Sequence, residues 1–276
     1  MTTWLITGCS SGLGRSLAEA VLDAGFNAVI TARDPVALQA LVASHPGTAI
    51  AVALDVTKPE QVANAVEVAD SRFGGVDVLV NNAGYGYRAA VEEGDDKEVN
   101  ALFATNFFGT VAMIKAVLPG MRERRHGTIL NFSSIAGQLA APGSGYYSAT
   151  KFALEGMSDA LRKEVGPLGI RVSIIEPGAF RTDFAGRSLQ QARAEIADYR
   201  DTAGPRRKEN DRTHGTQPGD PARAARTLID LVAAPALPVR LLLGSDAVRI
   251  VGAEIDGHRR EIDAWKAVSA ATDFPS

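Results

Sequence analysis

The sequence predicts an α/β fold: a doubly wound parallel sheet of seven strands with helices on both faces, built as a single domain over residues 1–276. Three observations carry this reading. Short apolar runs alternate with longer amphipathic stretches, as in repeated βα units with right-handed crossovers. The first, second, fourth and sixth of those runs are almost continuously apolar, as strands are when helices cover both faces. Prolines and a glycine stand where helices would begin and end.

Taken in order, a strand at Thr3–Thr7 leads through a glycine-rich turn into a helix at Leu13–Ala24, which Gly25 terminates. A strand at Ala28–Ala32 precedes a helix at Pro35–Ala43, and a strand at Ala49–Leu54 precedes a helix at Pro59–Phe73. The fourth strand, Val76–Val80, is followed by a long helix, Val99–Arg124, and the fifth, Gly127–Phe132, by a helix at Tyr147–Val165. The sixth strand is Ile170–Ile175; a helix at Pro221–Ala234, a strand at Val239–Leu243 and a helix at Ala247–Val268 complete the pattern. Pro35, Pro59 and Pro221 suit a first helical turn, where a missing N–H costs nothing. The stretch Phe184–Gly219 breaks the pattern: it is polar and carries Gly204-Pro205 and Arg206-Arg207-Lys208. Too little chain follows it for a second domain, so it is expected to be a mobile flap, at about 184–219, beside the functional site. Its basic run is read as solvated surface, with attraction of an acidic substrate such as a CoA or carrier-protein ester as the alternative.

The apolar fraction of 46% is ordinary for a globular protein. A net charge of −3 gives no electrostatic reason to expect nucleic acid or an anionic membrane as partner. Cys9 is the one cysteine, so no internal disulfide forms, in keeping with a reducing compartment. No signal peptide and no run of about 18 apolar residues are read, and a cytoplasmic location is expected. Nothing suggests a metal site.

The strand at Thr3–Thr7 enters Gly8-Cys9-Ser10-Ser11-Gly12-Leu13-Gly14, and a helix opens there. Glycines let backbone approach a pyrophosphate, and a helix N-terminus offers free N–H groups and a positive dipole end. Between a buried strand and a helix, this is a dinucleotide fingerprint of Rossmann type. Cys9 is read as a small filler. At the tip of the second strand stand Ala32, Arg33 and Asp34. An acid there would bind a ribose 2′-hydroxyl, whereas Arg33 suits a 2′-phosphate. Asp34, before Pro35, suits an N-cap. NADP is therefore favoured over NAD. Asp55, next to Val56, is placed to accept from an adenine amino group, a helix cap being the alternative. Asn82, Ala83 and Gly84 follow the fourth strand and permit close approach of a cofactor.

Tyr147 and Lys151 lie four apart at a helix start and share a face. An ammonium beside a phenol favours the phenolate and lowers its pKa, which makes a general acid for ketone reduction and a general base for alcohol oxidation. Tyr146 has no lysine at that spacing. Ser134, just past the fifth strand, can hydrogen-bond a substrate oxygen; Ser133 is its rival, and alternation allows only one of them to face the cleft. Asn106 sits among apolar neighbours inside the long helix, which hints at a buried amide with local hydrogen bonds.

Together, in this order, Gly8, Gly12 and Gly14, Asn81-Asn82-Ala83-Gly84, Asn106, Ser134, Tyr147 with Lys151, and Pro177-Gly178 resemble the short-chain dehydrogenase/reductases in their compact single-domain branch, over about residues 3–250. The resemblance implies that Tyr147 is the acid/base, Ser134 orients the carbonyl, and Lys151 binds the nicotinamide ribose. It implies that Asn106 holds a water linking Lys151 to solvent, and that Pro177, Gly178 and Thr182 seat the carboxamide. Its implied activity is hydride transfer between NADP(H) and a small carbonyl or secondary-alcohol substrate. It also implies a homodimer or homotetramer built on the helices carrying Asn106 and Tyr147. A weaker resemblance links Pro177–Phe184 and the flap to the retinol- and 17β-hydroxysteroid-dehydrogenase-like subgroup. The competing readings are an NAD-dependent alcohol dehydrogenase of the same family and a non-catalytic nucleotide sensor, which would be expected to lose Tyr147 or Lys151.

Overall fold

The computed structural model describes residues 1–182, 184, 188–209 and 215–274. These form nine strands: β1 (Thr3–Ile6), β2 (Asn27–Ala32), β3 (Ala49–Ala53), β4 (Val78–Asn81), β5 (Gly86–Arg88), β6 (Gly127–Phe132), β7 (Ile170–Pro177), β8 (Leu189–Gln191) and β9 (Arg240–Leu243). Along β1, Trp4 and Ile6 pack on one side, Leu5 on the other, and all are buried. In β2, Ala28 and Ile30 share the face of Trp4 while Val29 shares that of Leu5. Successive strand residues point to opposite faces, so strands apolar at every position need cover on both sides.

Seven strands form one parallel sheet in the order β3-β2-β1-β4-β6-β7-β9. One face is covered by α1 (Gly12–Asp23), through Leu17, Ala18, Val21 and Leu22, and by a later helix, Pro221–Ala233, through Ala224, Ala225 and Leu228. The other is covered by α3 (Pro59–Phe73), α5 (Gly109–Arg124) and α6 (Gly145–Val165), whose Ala65, Ala69, Met113, Val117 and Leu161 meet Leu5, Leu79 and Ile129. The chain runs outward from β1 to β3, then returns to β4 on the far side of β1. That reversal opens a crevice at the carboxyl ends of β1 and β4, where open α/β sheets bind ligands.

All seven predicted strands are present. β6 and α3 have the predicted bounds, and the other boundaries move by a residue or two because pairing decides them. β7 continues to Pro177 since β9 lines its last turn of register. The helix expected at Pro35–Ala43 is a 3₁₀ turn, Pro35–Leu38, followed by α2 (Gln39–Ser44). The long helix opens earlier, as α4 (Asp96–Phe103), capped by the Asp95 carboxylate on the N–H groups of Lys97 and Glu98. It passes through a π segment at Ala104–Phe108 before α5. Contrary to the reading of short apolar runs, Asp96–Arg124 is long and apolar enough to cross a membrane by length and composition; here it packs against the sheet.

A second, unpredicted sheet pairs β5 with β8 in parallel. It ties the expected flap to the body. Residues 185–187 and 210–214 of that flap lie outside the described residues. The rest is anchored on Glu93, whose carboxylate accepts from Ile196 N–H (2.8 Å) and Arg207 (2.7 Å). Burial alone would raise the Glu93 pKa, but these bonds and one from Ala90 N–H hold it below the ordinary carboxylate value. A short helix, α7 (Gly204–Arg207), carries Arg207. The last two helices are α8 (Pro221–Ala233) and α9 (Ser245–Ala270).

Candidate active site

The crevice is stitched by two side chains. Thr7 Oγ1 accepts from the N–H groups of Asn82 (3.0 Å) and Ala83 (2.9 Å) and donates to Val80 O (3.2 Å). Asn82 Nδ2 donates to the carbonyls of Thr7 (2.9 Å) and Gly8 (3.1 Å). The turn after β1 is thereby clamped to the strand beyond the reversal. Gly8 has φ +73°, and a Cβ there would stand 3.0 Å from Ala83 Cα. At Gly14 a Cβ would fall 2.3 Å from Asn82 Nδ2 and 2.5 Å from Gly8 O. Ser11 is the N-cap of α1, yet its side chain makes no capping bond, so it leaves the first-turn N–H groups available to a ligand. Ser10 and Leu13 flank it, Leu13 packing on the core. Cys9 is a filler, as expected: its thiol donates to Ile6 O (3.2 Å) and burial pushes its pKa up to about 12. A cradle closed to side chains and rimmed by free N–H groups fits a dinucleotide pyrophosphate.

At the tip of β2, Arg33 is exposed and makes no hydrogen bond or ion pair among the described residues. Asp34 is engaged, its carboxylate capping the N–H of Val36 at 3.0 Å. Asp55 does not cap α3, whose N-cap is Lys58. Its Oδ1 instead accepts from the N–H (2.9 Å) and hydroxyl (2.7 Å) of Thr57. Burial works to raise the Asp55 pKa, but these bonds and the charges of Arg33 and Lys58 bring it below the ordinary value. Val56 is buried against Gly109.

At the other end of the crevice, Tyr147 stands in the first turn of α6. Its rival Tyr146 is structural, donating to Val91 O (2.6 Å) and packing on Tyr87. Ser134 ends the extended segment after β6, its Oγ accepting from Ala136 N–H (3.1 Å) and lying within hydrogen-bond reach of the Tyr147 phenol. Ser133 points the other way, into the packing around Gly137 and Glu155, as alternation requires. Lys151 is 7% exposed; its ammonium donates to Phe132 O (2.7 Å) and stands 5.8 Å from the Tyr147 ring centre. Burial brings the Lys151 pKa down to about 8, with Glu155 opposing.

The expectation that the lysine lowers the tyrosine pKa needs correction. Burial pushes the Tyr147 phenol above its ordinary value, and the groups that oppose this are Ser134, Arg88 and Arg206. Lys151 donates to the Phe132 carbonyl, and its ammonium stands 5.8 Å from the centre of the phenol ring. Asn106 sits in the π segment and is buried. Its amide clasps the Tyr85 backbone in both directions (3.0 and 2.9 Å) and reaches Thr150 Oγ1 at 3.3 Å. A Cβ on Gly84 would lie 3.1 Å from Asn106 Oδ1 and 3.9 Å from Lys151 Nζ, a tight contact with the first and an ordinary one with the second.

Pro177 closes β7. A Cβ on Gly178 would fall 2.5 Å from Asp246 of α9, whose carboxylate accepts from Ala179 N–H at 2.8 Å. Thr182 lies over the glycine turn, its Cβ 3.6 Å from where a Gly12 Cβ would stand. Sequence reasoning missed the groups on the outer side of Tyr147. Phe184 packs against the phenol ring with centres 6.1 Å apart. Arg88, Ser144 and Arg206 form a cluster beside it. An arginine within the largely apolar run Tyr85–Val91 was the available signal.

A model of the short chain dehydrogenases matches residues 2–193. The oxidoreductase BOA17 of Botryotinia fuckeliana (strain B05.10) is 37% identical over 270 residues, 98% of this chain and 98% of its own. Retinol dehydrogenase 8 of Homo sapiens is 40% identical over 196 residues, 68% of this chain and 62% of its own. A crystal structure of a short-chain dehydrogenase from Streptomyces avermitilis matches with a TM-score of 0.93 and 43% identity, over 99% of this chain and 100% of that one.

Proposed function

The chain belongs to the short-chain dehydrogenase family of oxidoreductases, and we propose that it interconverts a carbonyl compound and the corresponding alcohol with NADP(H), using Tyr147 as acid/base. The observation that carries this reading is a half-buried phenol beside a serine hydroxyl and a buried lysine, at the open end of a glycine-lined crevice. The nicotinamide, when bound, supplies or accepts the hydride. The turn from Gly8 to Gly14, with Ser10, Ser11, Gly12 and Leu13, holds the pyrophosphate against the start of α1. Asp55 and Val56 border the adenine, and Asn82, Ala83 and Gly84 line the floor. Pro177, Gly178 and Thr182 take the carboxamide.

The protein's own part in the reaction is proton handling. In reduction Tyr147 gives its proton to the substrate oxygen while Ser134 fixes that oxygen by a hydrogen bond. A high phenol pKa in the free protein keeps the acid form ready at neutral pH. Lys151 binds ribose hydroxyls, and Ser134, Arg88 and Arg206 are the groups that favour the phenolate left behind. Asn106 fixes the backbone beside Lys151, from where a water carries the proton to solvent. The described flap, with Phe184, borders the substrate. Arg33 favours NADP because it is free to pair with a 2′-phosphate, whereas Asp34, the residue that would select NAD, is committed to Val36. The exposed Phe108 (60%) and Phe152 (47%), near Asn106 and Tyr147 on adjoining helices, support a homodimer or homotetramer on that face.

Fluorescence titration with NADPH and NADH, followed by an aldehyde and ketone panel read at 340 nm, tests the proposal. Tight NADPH binding with turnover is expected. Absence of binding to either nucleotide would overturn it.

A further inference from the structure

β5 puts Gly86 and Arg88 on one face, and that face looks toward Tyr147. Over Gly86 lie Phe184 and Leu189, an apolar pair of which Phe184 packs on the phenol ring. Arg88 is only 9% exposed, although arginine is rarely buried without a partner for its charge. Its Nη1 donates to Ser144 Oγ and its Nη2 stands 3.6 Å from Glu209. Its buried Nε has no hydrogen-bond partner among the described residues. Arg206 reaches the same two groups: Nε donates to Ser144 Oγ at 3.1 Å, and Nη1 pairs with Glu209.

Ser144 precedes α6 as its N-cap, yet its side chain makes no capping bond. Both lone pairs of its hydroxyl are given to guanidinium groups, three residues ahead of Tyr147. Two guanidiniums are thus held together on one hydroxyl and one carboxylate. Like charges at this range repel, and a buried donor left unpaired costs free energy. One more anion would relieve the repulsion. The neighbouring Arg207 is no part of this, being spent on Glu93 and on the carbonyls of Ala192 and Ala194.

We propose that Arg88 and Arg206, joined through Ser144, form a subsite for a carboxylate on the substrate, so that the preferred substrates are oxo acids, or the matching hydroxy acids, with an apolar body against Phe184 and Leu189. The proposal rests on the oxidoreductase reading, because it places the reacting carbonyl at Tyr147. Among the described residues, an anionic group seated there meets two guanidiniums and one carboxylate, whereas a neutral ester brings no charge to the pair.

The test compares benzoylformate, 3-benzoylpropionate and 4-benzoylbutyrate, each against its methyl ester, by calorimetric binding to the protein with and without NADP⁺ and by kcat/KM with NADPH. At least one acid is expected to exceed its ester roughly 10- to 100-fold, the size of a charge-assisted hydrogen bond. Arg206→Met should bring that ratio close to one. Arg88→Met should do the same; because Arg88 is buried and its variant is at risk of misfolding, the half-exposed Arg206 is the primary variant. Equal acid and ester ratios in the wild type across all three pairs, or a preference that survives Arg206→Met, would overturn the subsite. Reduction of the esters in that case would leave the oxidoreductase reading standing. A chain that binds no dinucleotide at all would end that reading, while the carboxylate ratio measured without NADP⁺ still decides the subsite.

Discussion

Replacing Lys151 by methionine separates what this residue does for the fold from what it does for the reaction. The ammonium is almost fully buried and donates one hydrogen bond, to Phe132 O at 2.7 Å. Burial moves its pKa from 10.5 to about 8, so the charged form is disfavoured in the folded protein by about 3 kcal/mol. Methionine has similar length and carries no charge, so the variant recovers that penalty at pH 7. Against this stands the orphaned carbonyl of Phe132, worth about 1–3 kcal/mol. The two nearly cancel. Lys151→Met is therefore expected to unfold within about 2 kcal/mol of the wild type, while turnover falls by ~10²-fold or more.

The pH dependence gives a second handle. Between pH 8 and 10.5 the unfolded chain holds the lysine proton while the folded chain has released it. Stability contributed by this group therefore rises with pH across that window, and the penalty is present in full below it. Chemical denaturation of the wild type and of Lys151→Met from pH 7 to 10.5 reads the difference directly. The wild type should gain on the variant as pH rises. A variant destabilised at pH 7 by far more than 3 kcal/mol, or a gap that does not change with pH, would refute the reasoning.

Three further outcomes are expected. Tyr147→Phe should keep NADPH affinity, read by fluorescence, and lose ~10²- to 10⁴-fold in turnover. Arg33→Ala should raise the KM for NADPH roughly 10- to 100-fold and leave that for NADH nearly unchanged, and an equal effect on both would remove the 2′-phosphate pairing. Gly14→Ala places a methyl 2.3 Å from Asn82 Nδ2 and 2.5 Å from Gly8 O, so it should cost about 1–3 kcal/mol in thermal unfolding and weaken both dinucleotides alike.

How much of this was legible in the sequence depends on the range of the forces involved. The apolar runs of β1, β2, β4 and β7 point to both the strands and their double cover, because burial on two faces leaves little polar alternation to read. α3 was legible from Pro59 to Phe73, since proline opens it and Gly74, in the left-handed region, closes it. β5 and β8 were not, for each has three residues and the pairing spans about a hundred positions of chain. The π segment around Asn106 has no local signature; what sets it is the amide's clasp on Tyr85. Alternation allowed only one of Ser133 and Ser134 to face the cleft, and the fold turns Ser134 toward Tyr147 and Ser133 toward Gly137. Tyr147 and Lys151 could be named from spacing. The direction of the Tyr147 pKa could not, because burial outweighs neighbouring charge and burial is a property of the whole fold. The run Arg206-Arg207-Lys208 reads as uniform positive charge, yet folding sends Arg207 to Glu93 and Arg206 to Ser144.

The central claim is hydride transfer between a nicotinamide and a carbonyl carbon with Tyr147 supplying the proton. Incubating the protein with NADPH deuterated at C4 and an aryl ketone, then weighing the alcohol by mass spectrometry, tests it most directly. Deuterium on the carbinol carbon from the wild type, and transfer ~10²- to 10⁴-fold slower from a Tyr147→Phe variant that still binds NADPH, is the predicted result. Equal deuterium transfer by the two proteins would contradict it.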